Sequence, residues 1–230
     1  ASATRMRSPA LSAVFEGQRL SSISCQQCDR FAASEAEPFS MEDVRICPMA
    51  EDDSWLSQLG NWFAEPQAPK ASLVELLANN VARSTPEGYR CPGCRSVGKS
   101  HRKRRFLRLP ATLVVHVNRA QPDESRCGLA LDFAPVLDLY ELGLVVDFGR
   151  PVDRNWEPCG TKYQLFTAIF HRGANARCGH YFACVLFQGT WICVNDDAVS
   201  RMRMTPMELE ASEPATGSRV ALLFYRRVDD

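Results

Sequence analysis

The feature that most constrains the fold of this chain is a pair of Cys-x-x-Cys turns far apart in the sequence. Cys25 and Cys28 form the first turn and Cys91 and Cys94 form the second, with 62 residues between the two. The two-residue gap lets both sulfurs of a turn reach one metal ion, so two turns can supply four thiolates to a tetrahedral zinc. Gly93 permits a tight second turn. The spacing therefore predicts one structural zinc ion that joins two distant segments.

The remaining six cysteines show no comparable spacing. Chains that depend on disulfides are usually short, secreted and loop-rich, and this chain of 230 residues does not fit that class. We therefore expect a reducing compartment and interpret the six as small buried hydrophobic residues or incidental surface thiols. They are Cys47, Cys127, Cys159, Cys178, Cys184 and Cys193.

Alternating and β-branched segments predict a fold made mainly of antiparallel strands with little helix. One helix is predicted over residues 72–80, where Ser72 and Glu75 match a capping box. Residues 1–13 are predicted to form a mobile leader, and the acidic residues 49–54 are predicted to be exposed. Strands are predicted at 15–24, 44–46, 112–117, 143–148, 163–170, 180–187, 190–194 and 220–226.

Charge and hydropathy argue against two classes of partner. Lys plus Arg and Asp plus Glu both number 27, so no strong overall field favours nucleic acid. No apolar run approaches the roughly 20 residues that span a membrane, and the first residues show no secretory signal. Residues 99–105 contain five Lys and Arg, a pattern typical of nuclear localisation signals or nucleic-acid patches. Their position after the second zinc turn favours a solvated strand instead.

A second group of polar residues lies near the end of the chain. His180 follows Gly179 at the start of a predicted strand, and Asn195 and Asp196 follow a glycine-containing turn. Adjacent antiparallel strands would bring an amide or carboxylate beside the imidazole. A His held on one ring nitrogen can take a proton from a thiol with the other. The pattern indicates the general base of a thiol hydrolase, although a lone His is more often structural.

Several sequence blocks occur in an order that resembles the ubiquitin-specific proteases, which are papain-like deubiquitinases with a thumb, a palm and fingers. The resemblance runs from about Val14 to Arg227. Each block alone is a weak signal, whereas the combination is specific. The blocks are residues 15–17, 23–28, 91–94, 109–119, 163–165, 171–173, 179–181, 191, 195–197 and 223–226.

The resemblance implies a fold class and a domain division. The expected fold is an α+β papain-like cysteine hydrolase, with a mostly antiparallel palm sheet and a zinc-ribbon extension as fingers. After the leader, residues 14–105 would form the fingers with the four-Cys zinc site. Residues 106–230 would form the palm that carries the catalytic residues.

The resemblance also implies roles for individual residues. His180 matches the catalytic His of the family, Asn195 matches the residue that orients it, and Asp196 matches the acidic residue that assists at the oxyanion site. The zinc cysteines match the tip of the fingers, which grip ubiquitin. His171 matches no catalytic position, and we interpret it as structural.

The sequence departs from the family pattern at its start. The family opens with a Gly-Asn-Thr-Cys-type box that begins a helix, and no such segment precedes Val14. We therefore expect the thumb to be missing from this chain and the nucleophilic Cys to lie upstream of it in the full protein. Cys178, Cys184 and Cys193 are rejected as substitutes, because none begins a helix that could lower its pKa. Ala120 stands where the family usually has an aromatic residue.

Three functions follow from these observations. The first is a partial ubiquitin-specific protease domain, which hydrolyses the isopeptide or peptide bond after the C-terminal Gly of ubiquitin. The chain alone is predicted to be inert, because loss of a triad nucleophile costs about a million-fold in turnover. The alternative is a catalytically inactive ubiquitin-binding or scaffold protein, and a more remote one is a zinc-ribbon nucleic-acid-binding module. The expected partners are ubiquitin or ubiquitinated proteins, inside the cell in the cytoplasm or nucleus. No membrane is expected as a partner, and nucleic acid is expected only under the remote alternative.

Overall fold

The computed structural model describes residues 8–33, 36–47, 70–81, 86, 88–145, 160–173, 175, 178–212 and 217–228. All structural statements below concern these residues. No helix among them is long and apolar enough to cross a membrane. The elements in chain order are α1 (Pro9–Phe15), β1 (Gly17–Cys25), β2 (Phe31–Ala33), β3 (Glu37–Phe39), β4 (Glu42–Arg45), β5 (Lys70–Ser72), α2 (Leu73–Val81), β6 (Ser100–Arg108), β7 (Thr112–Asn118), β8 (Ala130–Asp132), β9 (Val136–Asp138), β10 (Lys162–Arg172), β11 (His180–Phe187), β12 (Thr190–Asn195), β13 (Ala198–Arg201), α3 (Pro206–Ala211) and β14 (Ser218–Arg227).

The largest sheet contains most of the predicted strands. Its order is β13-β12-β11-β10-β14-β7-β4, with β9 paired to β10. All neighbours are antiparallel except β4 and β7. Long β-branched and aromatic runs favour such strands, and their inward side chains form the core. Fully buried members include Leu113, Val115, Tyr163, Phe170, Leu223 and Tyr225.

A smaller sheet forms the extension that carries the cysteine turns. Strand β1 pairs antiparallel with β2, β3 and β6. Gly17 begins β1, and a Cβ at this position would overlap the Phe39 ring and approach the Arg108 carbonyl. Glycine at position 17 therefore allows β1 to lie close to β3 and β6. The register shifts between Gln18 and Arg19, which is the position of a β-bulge.

The short helices are fixed to the sheets at identifiable points. In α2, Leu73 and Leu77 are buried, and the backbone N–H of Glu75 donates to Ser72 Oγ at 3.5 Å. The predicted helix and its cap are therefore present. Helix α3, which the sequence did not predict, begins with a complete capping box between Thr205 and Glu208.

The predicted strands at 112–117, 163–170, 180–187, 190–194 and 220–226 are confirmed, because each lies inside an observed strand. The strand predicted at 15–24 begins two residues later, since α1 continues to Phe15. Helix α1 also covers part of the predicted leader 1–13, and its residues are not buried. Strand β4 belongs to the large sheet although it lies in the segment predicted as fingers. Residues 49–54, 146–148 and Cys159 lie outside the described residues.

The interpretation of Cys47 and Cys127 as separate thiols is wrong, because the structure joins them in a disulfide with Cα atoms 6.3 Å apart. Two backbone hydrogen bonds bring their segments together. Ile46 N–H donates to the Asn118 carbonyl at 3.2 Å, and Cys127 N–H donates to the Arg119 carbonyl at 2.8 Å. The two cysteines are 80 residues apart in sequence, so no local pattern could predict this pairing.

Candidate active site and metal centre

The β11–β12 hairpin positions the predicted catalytic residues. Its turn residues Gln188 and Gly189 both have positive φ, 48° and 75°, which matches a two-residue turn of type I′. The register pairs Cys184 with Cys193 and Ala183 with Val194. Side chains two residues apart on a strand share a face, so the hairpin carries His180 and Asn195 to the same face and the same end.

The structure brings the three predicted site residues together. His180 Nε2–H donates a hydrogen bond to Asn195 Oδ1. Asp196 Oδ2 lies 3.7 Å from the same nitrogen. Asp196 has φ 51° in the turn that follows β12, and its side chain is exposed. Because Nε2 is engaged by the amide, the imidazole has Nδ1 available to exchange a proton with a reacting group.

His171, which the sequence analysis interprets as structural, lies buried on β10 opposite Tyr181 of β11. Its ring packs 4.6 Å from the Tyr181 ring. Arg126 donates to the His171 carbonyl at 2.7 Å and lies 3.3 Å from Nδ1. The pKa of His171 is lowered, mainly by burial and to a smaller extent by the Arg126 charge. A Cβ on Gly173 or Gly179 would overlap or crowd this ring, which gives both glycines a packing role.

The thiols nearest to the candidate site do not have the environment of a nucleophile. Cys184 is buried. Its burial first and the nearby Cys193 thiol second raise the pKa of Cys184 to about 12. Burial also raises the pKa of Cys193, against the charge of Arg172. Cys178 is exposed and precedes β11. Nucleophilic thiols usually have their pKa lowered by a helix N-terminus or a nearby cation. The Arg172 charge is not enough to lower the pKa of Cys193 below its usual value.

The four cysteines of the two turns form one cluster. Their Sγ atoms all lie within 4.8 Å of one another. The distances from Cys25 to Cys94 and from Cys28 to Cys91 are both 3.6 Å between Sγ atoms. A tetrahedral zinc ion with Zn–S bonds of about 2.3 Å separates its sulfurs by about 3.8 Å. The cluster therefore has the dimensions that a four-thiolate zinc site requires.

Backbone hydrogen bonds hold the two turns against each other. Cys25 N–H donates to the Arg30 carbonyl at 2.9 Å, and Gln26 N–H donates to the Lys99 carbonyl at 2.8 Å. The second bond links the first turn to the strand that leaves the second. Both turns are thus fixed by the β1–β6 ladder, although they are remote in sequence.

Ser96 is the neighbour of this cluster that the sequence did not suggest. Its Oγ lies 3.1 Å from Cys94 Sγ and 3.6 Å from Cys25 Sγ. The Ser96 hydrogen bond is the main reason that the pKa of Cys25 falls to about 5, and it also lowers the pKa of Cys94. A backbone hydrogen bond from Arg30 lowers the pKa of Cys28, but burial and the neighbouring thiols raise it to about 11 overall. A thiolate is thus favoured on the Ser96 side, and thiolate is the form that binds metal.

Comparison with known proteins identifies the family of this chain. A family model described as "Ubiquitin carboxyl-terminal hydrolase" matches residues 2–225. The chain belongs to the ubiquitin carboxyl-terminal hydrolase family. Curated family members are similar to it over parts of their length. Ubiquitin carboxyl-terminal hydrolase 12 of Salmo salar is 27% identical over 146 residues, which is 61% of this chain and 38% of that protein. Ubiquitin carboxyl-terminal hydrolase 10 of Saccharomyces cerevisiae is 28% identical over 118 residues, 50% of this chain and 14% of that protein.

Solved structures confirm the predicted fold class for this ubiquitin carboxyl-terminal hydrolase family member. A chain of the SAGA DUB module that contains Ubp8, Sgf11, Sus1 and Sgf73 matches with a TM-score of 0.70 and 21% identity, over 95% of this chain and 42% of that one. The module bound to ubiquitin aldehyde gives a TM-score of 0.70 with 20% identity, over 98% and 44%. The chain therefore spans less than half the length of the relatives and structures described here.

Proposed function

We propose that this chain supplies the general base and its orienting residue to a cysteine deubiquitinase. The reaction is hydrolysis of the isopeptide or peptide bond after the C-terminal Gly of ubiquitin. The observation that carries the proposal is the hydrogen bond from His180 Nε2–H to Asn195 Oδ1 across the β11–β12 hairpin. This bond fixes the tautomer with a proton on Nε2 and a lone pair on Nδ1, which a general base needs.

The nucleophile of this reaction is a Cys in the part of the full protein that precedes residue 1. His180 Nδ1 takes the thiol proton, and the thiolate attacks the carbonyl carbon of the ubiquitin C-terminus. His180 then returns the proton to the leaving amine as the acyl-thioester forms. Water attacks the thioester with His180 again as base, which releases ubiquitin and restores the thiol. In this proposal Asp196, whose Oδ2 lies 3.7 Å from His180 Nε2, assists at the oxyanion site.

The four-Cys cluster holds a structural zinc ion in this proposal, with Cys25, Cys28, Cys91 and Cys94 as its ligands. All four coordination positions are filled by protein, so the metal takes no part in the chemistry. Zinc binding in small peptides is worth about 10–16 kcal/mol, enough to hold the narrow β1–β6 extension folded. The extension would act as the main part of the fingers, assigned to residues 14–105, and contact the globular part of ubiquitin. Residues 106–230 would act as the palm.

The test uses the full protein, including the segment upstream of this chain, and a ubiquitin with an electrophile at its C-terminus. Adduct formation is followed by intact mass, and turnover is measured on ubiquitin with a fluorescent leaving group. Asn195→Ala should lower kcat by at least tenfold and His180→Ala by at least a thousandfold, with ubiquitin affinity retained. Full turnover with His180→Ala would overturn the proposal.

The same experiment separates the non-catalytic alternative. A full protein that binds ubiquitin with zinc present but forms no adduct and shows no turnover is a ubiquitin-binding scaffold. An adduct on the 230-residue chain alone would show that one of its own cysteines is the nucleophile, contrary to the environments of Cys178, Cys184 and Cys193.

A further inference from the structure

The extension formed by β1, β2 and β6 concentrates positive charge that the whole chain does not have. Residues 17–31 and 88–108, here called the basic ribbon, contain ten Lys and Arg and one acidic residue, Asp29. A zinc ion bound by four thiolates would add about −2, which leaves the excess strongly positive. The neutral net charge of the chain therefore hides a local field, and local fields determine where polyanions bind.

Strand register places part of this charge on one face with an aromatic ring. Paired residues on neighbouring strands point to the same side of a sheet. Ser24 pairs with both His101 and Phe31, Ser22 pairs with Lys103, and Leu20 pairs with Arg105. One face, here called the Phe31 face, thus carries Phe31, His101, Lys103 and Arg105. The Phe31 ring is 65% exposed, which is high for a side chain of this size.

Two arginines of the opposite face, Arg19 and Arg104, lie near the buried Glu42 carboxylate. Burial raises the pKa of Glu42, and the charges of Arg19 and Arg104 oppose that rise. Arg19 forms an ion pair with Glu42 at 3.2 Å. These internal interactions reduce the field on that side, so the Phe31 face is the better surface for an anionic ligand.

We propose that the Phe31 face binds single-stranded nucleic acid, an activity beyond deubiquitination. Residues 101, 103 and 105 recur every second position, about 6.8 Å apart along a strand, which forms a straight row of basic side chains for a phosphate backbone. Phe31 lies at one end of this row, where a base can stack on its exposed face. The aromatic ring favours a polynucleotide over an acidic peptide, since carboxylates gain nothing from stacking.

The experiment measures binding of the zinc-loaded 230-residue chain to fluorescent 15-nucleotide oligo-dT and oligo-U by anisotropy. With the two cations Lys103 and Arg105 on the phosphates, the logarithm of affinity should fall with the logarithm of salt concentration with a slope of about −1.4. Phe31→Ala should weaken binding about 5- to 100-fold, the range found for loss of one stacking side chain. Lys103→Gln with Arg105→Gln should weaken binding at least tenfold and flatten the salt dependence.

The matched control is Arg102→Gln with Arg104→Gln, which removes the same charge from the opposite face and should weaken binding less than threefold. Zinc content and circular dichroism confirm that each variant is folded. Photo-crosslinking of unmodified chain to oligonucleotide carrying 4-thiouridine should label Phe31 and its neighbours, without any substitution. Any of three results would overturn the proposal. They are equal losses of affinity in the double variants of the two faces, no effect of Phe31→Ala on affinity, and competition by poly-glutamate as strong as that by unlabelled oligonucleotide. Ubiquitin binding by the same variants is measured separately, so that failure of this site is distinct from failure of the proposed enzyme.

Discussion

The imidazole ring of His171 occupies the space that a side chain on Gly179 would need. Gly179 directly precedes His180, and Tyr181 directly follows it and packs on the same ring at 4.6 Å. The residues on both sides of the proposed catalytic His are therefore in contact with one buried ring. We therefore expect His171 to act as a positioning residue that fixes where β11 begins and hence where the His180 imidazole lies.

This contact predicts the effect of Gly179→Ala. The added methyl group overlaps His171, and overpacking of this kind costs about 1–3 kcal/mol. The start of β11 must shift, so kcat of the full protein on a ubiquitin substrate should fall at least tenfold, with little change in KM. Gly128→Ala is the matched control, because nothing lies within 4 Å of a Cβ at that position. Equal activities of the two variants would contradict the positioning role.

The buried ion pair between Arg119 and Glu210 predicts a large stability effect. Glu210 Oε1 accepts from Arg119 at 2.8 Å and from Leu131 N–H at 3.0 Å, and Oε2 accepts from Val220 N–H at 2.8 Å. Glu210→Ala leaves the buried Arg119 charge unpaired, which should lower the free energy of unfolding by about 3–5 kcal/mol.

Chemical denaturation measures this loss. Glu208→Ala on the same helix is the control, because it removes only the exposed hydrogen bonds from Thr205 to the Glu208 carboxylate and keeps the Thr205 cap, so it should cost no more than about 1 kcal/mol. If the two substitutions cost the same, the buried network does not fix α3 to the sheet.

His171 also predicts how stability depends on pH. Its folded-state pKa is lowered by burial and by Arg126, so the unfolded chain binds a proton more readily than the folded one. The free energy of unfolding should therefore fall as the pH decreases below about 6.5, where the unfolded His titrates, and level off below the folded pKa. His171→Gln should remove this part of the acid sensitivity. The measurement is denaturant unfolding of both proteins between pH 7.5 and pH 5; parallel curves would show that another group is responsible.

How much could be predicted from the sequence differs between parts of the molecule. The hairpin with His180 and Asn195 was predicted, since strand alternation and a Gln-Gly turn are local signals. The four-Cys cluster was predicted because its ligand spacing is itself the signal. Helix α3 was missed because it is only six residues long, too short for a periodic apolar pattern.

The contacts that hold the site in place were beyond sequence reasoning for a different reason. Arg126 meets His171 across 45 residues, and Arg119 meets Glu210 across 91. The Cys47–Cys127 disulfide spans 80 residues. Such pairs depend on the tertiary packing of strands, and nothing in the local sequence of either partner specifies the other. The basic run at residues 99–105 was visible in the sequence, but the face that it shares with Phe31 was visible only once the β1–β2 and β1–β6 registers were known.

Zinc removal should destabilise the smaller sheet and leave the larger sheet stable. Among the described residues, the large buried side chains of the four-strand extension are Phe39 and Phe106, so its stability depends on the cross-link between the turns. The purified chain should contain about one zinc per molecule by elemental mass spectrometry. A strong chelator should release that ion and expose the backbone amides of β1 and β6 to hydrogen exchange, while those of β10 and β14 remain protected.

Two cysteine substitutions provide the matched comparison. Cys91→Ser should reproduce the effect of the chelator. Cys178 is an exposed thiol outside the cluster, so Cys178→Ser should leave zinc content and hydrogen exchange unchanged. Protected β1 and β6 amides in a metal-free chain would show that the ladder is stable without a cross-link.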